Sequence, residues 1–167
     1  DRPLIRSRVR KAVAAACEDN GTARVGGQTL THTTIPGTPS RLLSRPVVCV
    51  HPGAGTRMRQ WPARHFATLV DILLDAYDVH VALIGSADEA PLAAEIRDLV
   101  RQPAAVFVLA GALPLADLPR FLAGCALFVG NNSGPQHLAA ELGIATVAVH
   151  SGVVDAAENF QNLAVIN

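Results

Sequence analysis

The chain has 167 residues, 50% of them apolar, and its 14 basic side chains balance its 14 acidic ones. That length suits one domain of ordinary size, and the hydrophobicity excludes intrinsic disorder, which needs few apolar residues and a charge excess. Balanced charge removes bulk electrostatics as a reason to expect nucleic acid as a partner, and no run reaches the roughly 18 apolar residues of a membrane span or the pattern of a secretory leader.

In chain order, residues 3–20 are expected to form an amphipathic helix, with Leu4, Ile5, Val9, Val13 and Ala16 near helical spacing and Gly21 as a stop. Its cluster Arg2, Arg6, Arg8, Arg10 and Lys11 reads as a solvated helix face. Residues 21–46 are rich in Gly, Thr and Pro and read as loop, of the kind that links two domains. From Val47 the pattern becomes regular. Strands are expected at Val47–Val50, Val79–Ile84, Ala105–Leu109, Ala126–Val129 and Ala145–Val149. Helices are expected at Trp61–Asp75, Ala87–Val100, Leu115–Ala123 and Pro135–Leu142. Nearly continuous apolar strands alternating with helices imply an α/β fold, a Rossmann-like parallel sheet of about five strands with helices on both faces. Cys17, Cys49 and Cys125 are odd in number and far apart, and are expected as buried reduced thiols of a cytosolic protein. The start at Asp1 and the stop at Asn167 are expected to delimit part of a longer polypeptide.

The segments leaving the strands differ from those entering them. HPGAGTRMRQWP (51–62), GSADE (85–89), AGALP (110–114), GNNSGPQH (130–137) and HSG (150–152) all carry Gly. Ligands of open α/β sheets sit outside the carboxyl ends of the strands, and glycine lets a backbone approach them closely. One edge of the sheet is therefore expected to bind a ligand. In GNNSGPQHLAAELG (130–143), Asn132 or Ser133 suits a helix N-cap, Pro135 the first turn, and Gly143 the position just past the end. The amides and dipole of that N-terminus favour phosphate, and His137 lies within its first turn. HPGAGTRMRQWP offers Gly53, Gly55, Thr56, Arg57 and Arg59 as a second anion site, with Trp61 expected in the core. It matches neither a P-loop nor a dinucleotide fingerprint.

Four segments in order resemble glycosyltransferase family nine, the ADP-heptose lipopolysaccharide heptosyltransferases, over about residues 47–152. They are RQWPARHFATL (59–69), GSADE, LAGALPLADLPRFL (109–122) and VGNNSGPQHLAAELG (129–143). The resemblance implies the carboxyl-terminal, donor-binding half of a GT-B fold. Residues 1–46 would then be a linker or the tail of an amino-terminal domain, and 47–167 the nucleotide-sugar domain. It implies that Arg59 takes the place of a lysine contacting the donor phosphates, together with Gly53, Thr56, Ser133, Gly134, Pro135 and His137. Glu89 matches an acid that binds the ribose, the backbone of Leu109 and Gly111 lies near the adenine, and Asn132 and Gln136 line the sugar end. Two departures stand out. Arginine replaces lysine at 59, which keeps the charge and changes reach. Asparagine replaces aspartate at 132, which removes a charged acceptor and bears on donor identity.

The resemblance further implies sugar transfer from an ADP-heptose-like donor to a lipopolysaccharide core acceptor, with inversion and without a metal or other cofactor. No catalytic residue is expected in this chain, because the family's general base belongs to the amino-terminal domain, which also meets the glycan or lipid-linked acceptor. The implied location is cytoplasmic or peripheral at the inner membrane. A transferase acting on a protein or another glycan, and a non-catalytic nucleotide-binding module, remain as alternatives.

Overall fold

The computed structural model describes residues 38–56 and 59–149, together with the backbone of three short strands, Arg24–Val25, Gln28–Thr29 and Leu163–Ile166. The expected helix at 3–20, its basic cluster, Cys17 and the HSG turn at 150–152 lie outside the described residues.

Strands and helices alternate as β1 (Val47–His51), α1 (Ala63–Ala76), β2 (His80–Leu83), α2 (Ala90–Leu99), β3 (Val106–Val108), α3 (Leu118–Ala123), β4 (Leu127–Asn131), α4 (Gly134–Glu141) and β5 (Thr146–Val149). A further strand, β6 (Leu163–Ile166), follows. The six strands form one sheet in the order β3-β2-β1-β4-β5-β6, and every neighbouring pair is parallel. The sixth strand adds one to the number expected, since its apolar run lies at the extreme end of the chain.

The sheet is covered on both faces. Val48, Val50, Val81, Leu83 and Val129 pack with Phe66, Leu69, Val70 and Leu73 of α1 and Ala93 and Ile96 of α2. The alternate residues Val47, Cys49, Ala82 and Phe128 pack with Leu118, Phe121 and Leu122 of α3 and Ala139 of α4. Period-two strands buried on both sides read as continuous apolar runs, which is why β1, β2 and β4 show no polar alternation. Cys49 and Cys125 are free and buried in the second layer. Burial, reinforced by the neighbouring Cys125 thiol, pushes the Cys49 thiol well above its ordinary range.

Residues 21–46 hold more structure than a loop. Arg24–Val25 pairs with Gln28–Thr29 in an antiparallel hairpin, and Ser40–Ser44 forms a 3-10 turn. Leu42 of that turn is fully buried in the second core layer, and its carbonyl oxygen lies 2.9 Å from Nδ1 of His80. The isolated Leu-Leu in a polar stretch is the one sequence sign of that anchor. Two expected helices begin as 3-10 turns, at Ala87–Glu89 and Leu115–Asp117, before α2 and α3. Pro91 and Pro119 stand in the first turn of the α-helical parts, where a missing N–H costs nothing.

Strand order sets the site. From β1 the chain runs outward to β2 and β3, then returns to β4 beside β1 and runs the other way. The connections after β1 and β4 therefore diverge, opening a crevice at the carboxyl ends of these two strands.

Candidate functional site

Asn131 ends β4 and is fully buried. Its Nδ2 donates to the carbonyl oxygens of Pro52, at 2.7 Å, and Gly53, at 3.3 Å, while its Oδ1 accepts the Trp61 N–H at 3.1 Å. One amide thus ties both ends of the segment after β1 to the end of β4. It also supplies α1 with a fixed entry, since Pro62 at the N-cap offers no side-chain cap. Trp61 itself packs edge-on against Phe66, at 5.1 Å between ring centroids, but is half-buried at the edge of the core rather than within it.

Beside it, His51 ends β1 and is only 5% exposed. Its Nδ1 lies 3.0 Å from Ser133 Oγ and its Nε2 3.4 Å from Glu89 Oε2. Glu89 Oε2 also accepts from the Ser86 N–H at 2.7 Å and the Ser86 hydroxyl at 3.1 Å. This is the carboxylate arm of a capping box at the start of the helical segment after β2. The carboxylate lies against bare backbone. A Cβ placed on Gly53 would come within 1.6 Å of Glu89 Oε1, and one on Gly85 within 2.8 Å of Oε2. Glycine at both positions is what gives Glu89 room.

Desolvation holds the His51 ring below its ordinary pKa, against the opposing pull of Glu89. For Glu89, burial pushes upward, but the Ser86 bonds and the His51 ring outweigh it and leave the carboxyl below its ordinary value. Both folded values are depressed, so both groups stabilise the fold above their unfolded pKa and lose that contribution as pH falls. Unfolding midpoints in urea are therefore expected to fall as pH drops below the ordinary histidine range. The difference between the parent chain and His51→Gln is expected to shrink with the same acidification. A difference independent of pH would show that folding does not lower the His51 pKa.

These groups border one cleft of about 740 Å³ at the switch point between β1 and β4. Arg59, Glu89, Asn132, Ser133, Gly134, Pro135 and His137 all line it, so the structure brings these expected site residues together. Arg59 follows a turn closed by its N–H to the Thr56 carbonyl oxygen at 3.0 Å. Nε2 of His137 lies 3.1 Å from Oδ1 of Asn132.

Other expected residues are placed differently. Thr56 is exposed and outside the cleft lining. Gly53 borders an adjoining hollow of about 640 Å³, which shares Ala54 and Glu89 with the cleft. The N–H groups at 109–111 are engaged within the fold: Leu109 and Ala110 donate to the Leu83 carbonyl oxygen and Gly111 to that of Gly85. Leu109 is buried in the core. Gly111 has φ +76°, and a Cβ there would lie 3.0 Å from the Ala87 Cα, so the turn itself demands glycine. Gln136 is 0% exposed, and among the described residues neither of its side-chain polar atoms has a hydrogen-bond partner. It shares the inward face of α4 with Ala139, three residues on.

Ser133 occupies the N-cap of α4 with extended backbone, as expected, yet its hydroxyl makes no cap bond because it turns to His51. Its carbonyl oxygen accepts from both the Gln136 and His137 N–H groups, and Pro135 has none to give. That leaves Gly134 to supply the first-turn amide. Sequence reasoning missed three features. His51 and Asn131 are visible only as polar residues closing apolar strands. The apolar wall of the cleft, Ile84, Leu113, Leu115 and Leu118, includes Leu115 at 82% exposure, a large apolar side chain left in water at the rim.

Among the described residues, no helix is long and apolar enough to cross a membrane. None of their His, Cys, Asp and Glu side chains converge in a group of three that could hold a metal ion.

The model of glycosyltransferase family 9 (heptosyltransferase) matches residues 11–152. Lipooligosaccharide heptosyltransferase 2 of Haemophilus influenzae is 33% identical over 109 residues, covering 64% of this chain and 31% of that protein. Among solved structures, E. coli ADP-heptose lps heptosyltransferase II superposes with a TM-score of 0.67 at 26% identity, over 93% of this chain and 43% of the other. E. coli heptosyltransferase WaaC with ADP-2-deoxy-2-fluoro heptose gives 0.62 at 25% identity, over 77% and 38%. The chain spans less than half the length of each of these relatives.

Proposed function

The chain belongs to glycosyltransferase family 9, and on that premise we propose that it forms the donor-binding half of a heptosyltransferase acting on an ADP-heptose-like donor. One juxtaposition carries this reading. A guanidinium (Arg59) and a helix N-terminus (Ser133–Gly134) border the same cleft as an ionised carboxylate, Glu89, whose Oε2 is already fixed. The positive groups suit a diphosphate. Glu89, which lines both the cleft and the adjoining hollow beside Gly53, suits a ribose hydroxyl, which can only donate to an ionised carboxylate. Ile84, Leu113, Leu115 and Leu118 provide an apolar bed for the base. Asn132 and His137 then stand at the sugar end.

In the transfer, an acceptor hydroxyl oxygen attacks the anomeric carbon from the face opposite the diphosphate, the bond from that carbon to the diphosphate oxygen breaks, and the configuration inverts. Negative charge grows on the departing diphosphate, where Arg59 and the Gly134 amide stabilise it. The acceptor's proton goes to a general base outside this chain, in an amino-terminal domain that also binds the lipopolysaccharide core acceptor. Residues upstream of the Ser40–Ser44 turn, which Leu42 anchors in this domain's core, would serve as the link to that domain. The whole enzyme would work in the cytoplasm or at the inner membrane surface. Asn132 favours one second reading, a donor sugar other than heptose, because a neutral amide replaces a charged acceptor there.

Calorimetry tests the phosphate assignment. Arg59→Ala is expected to weaken ADP binding by about 1.5–3 kcal/mol, the size of a charge-assisted hydrogen bond, and adenosine binding far less. Equal losses for both ligands would remove Arg59 from the phosphate site.

A further inference from the structure

His51 joins the ends of three neighbouring central strands. It closes β1, touches Glu89 in the segment after β2, and touches Ser133 after β4. An ionised carboxylate has no proton to give, so the ring nitrogen facing it, Nε2, must carry one. In a neutral ring Nδ1 is then an acceptor, and the Ser133 hydroxyl donates its proton to it. The lone pairs of Ser133 are left for the cleft, and the Ser133 side chain meets a ligand as an acceptor of hydroxyl protons.

We propose that His51 is a positioning residue that, through a single proton on Nε2, holds Glu89 for a ribose hydroxyl and turns the Ser133 hydroxyl into an acceptor facing the cleft. This rests on the nucleotide reading above for its ligand, but its proton arrangement belongs to the unliganded chain. The supports are geometric. His51 is almost wholly buried, so its ring is held by its surroundings. The carboxylate it faces is confined by Gly53 and Gly85. The serine it faces makes no helix-cap bond of its own. The side chain therefore links the ribose end of the cleft to the N-terminus of α4, and the Ser133 side chain contacts a sugar hydroxyl in preference to a phosphate oxygen.

Two variants separate its two contacts. The amide of glutamine reaches as far as Nε2 and can replace its N–H toward Glu89, whereas the carbonyl of asparagine stands nearer to Nδ1 and can accept only from Ser133. The readout is the ratio of affinities for ADP and for 2′,3′-dideoxy-ADP in this chain. The parent is expected to favour ADP roughly tenfold or more, as fits one hydrogen bond to a charged group. His51→Gln is expected to keep most of that preference, and His51→Asn to bring it close to one. Loss of both ligands alike in His51→Asn would overturn the positioning role. Nitrogen-15 spectra of the imidazole rings supply a measurement that needs no ligand. A proton on Nε2 of His51 is expected, and a proton on Nδ1 alone would overturn the proposal. If the parent chain bound neither nucleotide, the nucleotide reading would fall, and the ring spectrum would still decide the proton arrangement of His51.

Discussion

Gly53→Ala is expected to remove the ribose site while leaving the fold largely intact. The new Cβ would overlap Glu89 Oε1, at a separation no non-bonded pair of heavy atoms tolerates. The obstacle is the far end of a flexible side chain, so the fold yields by swinging the carboxylate out. The Ser86 and His51 contacts go with it. The stability loss is expected to be modest, roughly 1–2 kcal/mol for charge-assisted bonds on a partly exposed group. ADP affinity is expected to fall roughly tenfold or more, with little change for inorganic pyrophosphate. Denaturant unfolding beside a nucleotide titration reads both quantities. Unchanged ADP affinity in a folded Gly53→Ala chain would mean that Glu89 does not meet the ligand.

Asn131→Ala is expected to give the larger structural effect. The amide is fully buried and satisfies the Pro52 and Gly53 carbonyl oxygens and the Trp61 N–H. Alanine removes all three bonds, and each buried group left unsatisfied costs about 1–3 kcal/mol, so a total loss of roughly 3 kcal/mol or more is expected. The segment bearing Arg59 would lose its fixed ends, and ADP binding should decline with it. Hydrogen exchange at the Trp61 amide, compared with amides of β2, distinguishes local release from general weakening. Equal acceleration at both would contradict the latch role.

Much of the fold was legible because burial on both faces leaves an unmistakable run of apolar residues at β1, β2 and β4. The end of α4 was legible for a stereochemical reason. Gly143 has φ +75°, and the Gly143 and Ile144 N–H groups return to the Ala140 and Ala139 carbonyl oxygens, a closure that favours glycine. Side-chain direction was harder to read. Ser133 looks like an ordinary cap until His51, 82 residues away, draws its hydroxyl off. Gln136 looks like a cleft residue because its neighbours are, yet the helical turn carries it inward beside Ala139. Gly111 looks like a ligand contact, and its turn demands glycine against Ala87 without any ligand. His51 and Asn131 act through partners distant in sequence, so no local spacing announces them. The resemblance placed Arg59, Glu89 and the α4 N-terminus around one ligand, and the strand order explains why they meet: all three lie beyond the carboxyl ends of the three central strands, β2, β1 and β4.

The ligand proposed for this cleft is an adenine nucleoside diphosphate. Titrating the chain with ADP, UDP and GDP, followed by amide spectra, tests it most directly. The expected result is ADP binding with a Kd of order 0.1–1 mM, about 4–5.5 kcal/mol, because the proposed donor half would bind without the domain that would close over the ligand. UDP and GDP should bind more weakly, and the ADP-induced shifts should cluster at Arg59, Glu89, Leu113, Leu115 and Gly134. Tighter binding of UDP, or shifts that avoid these residues, would contradict the assignment.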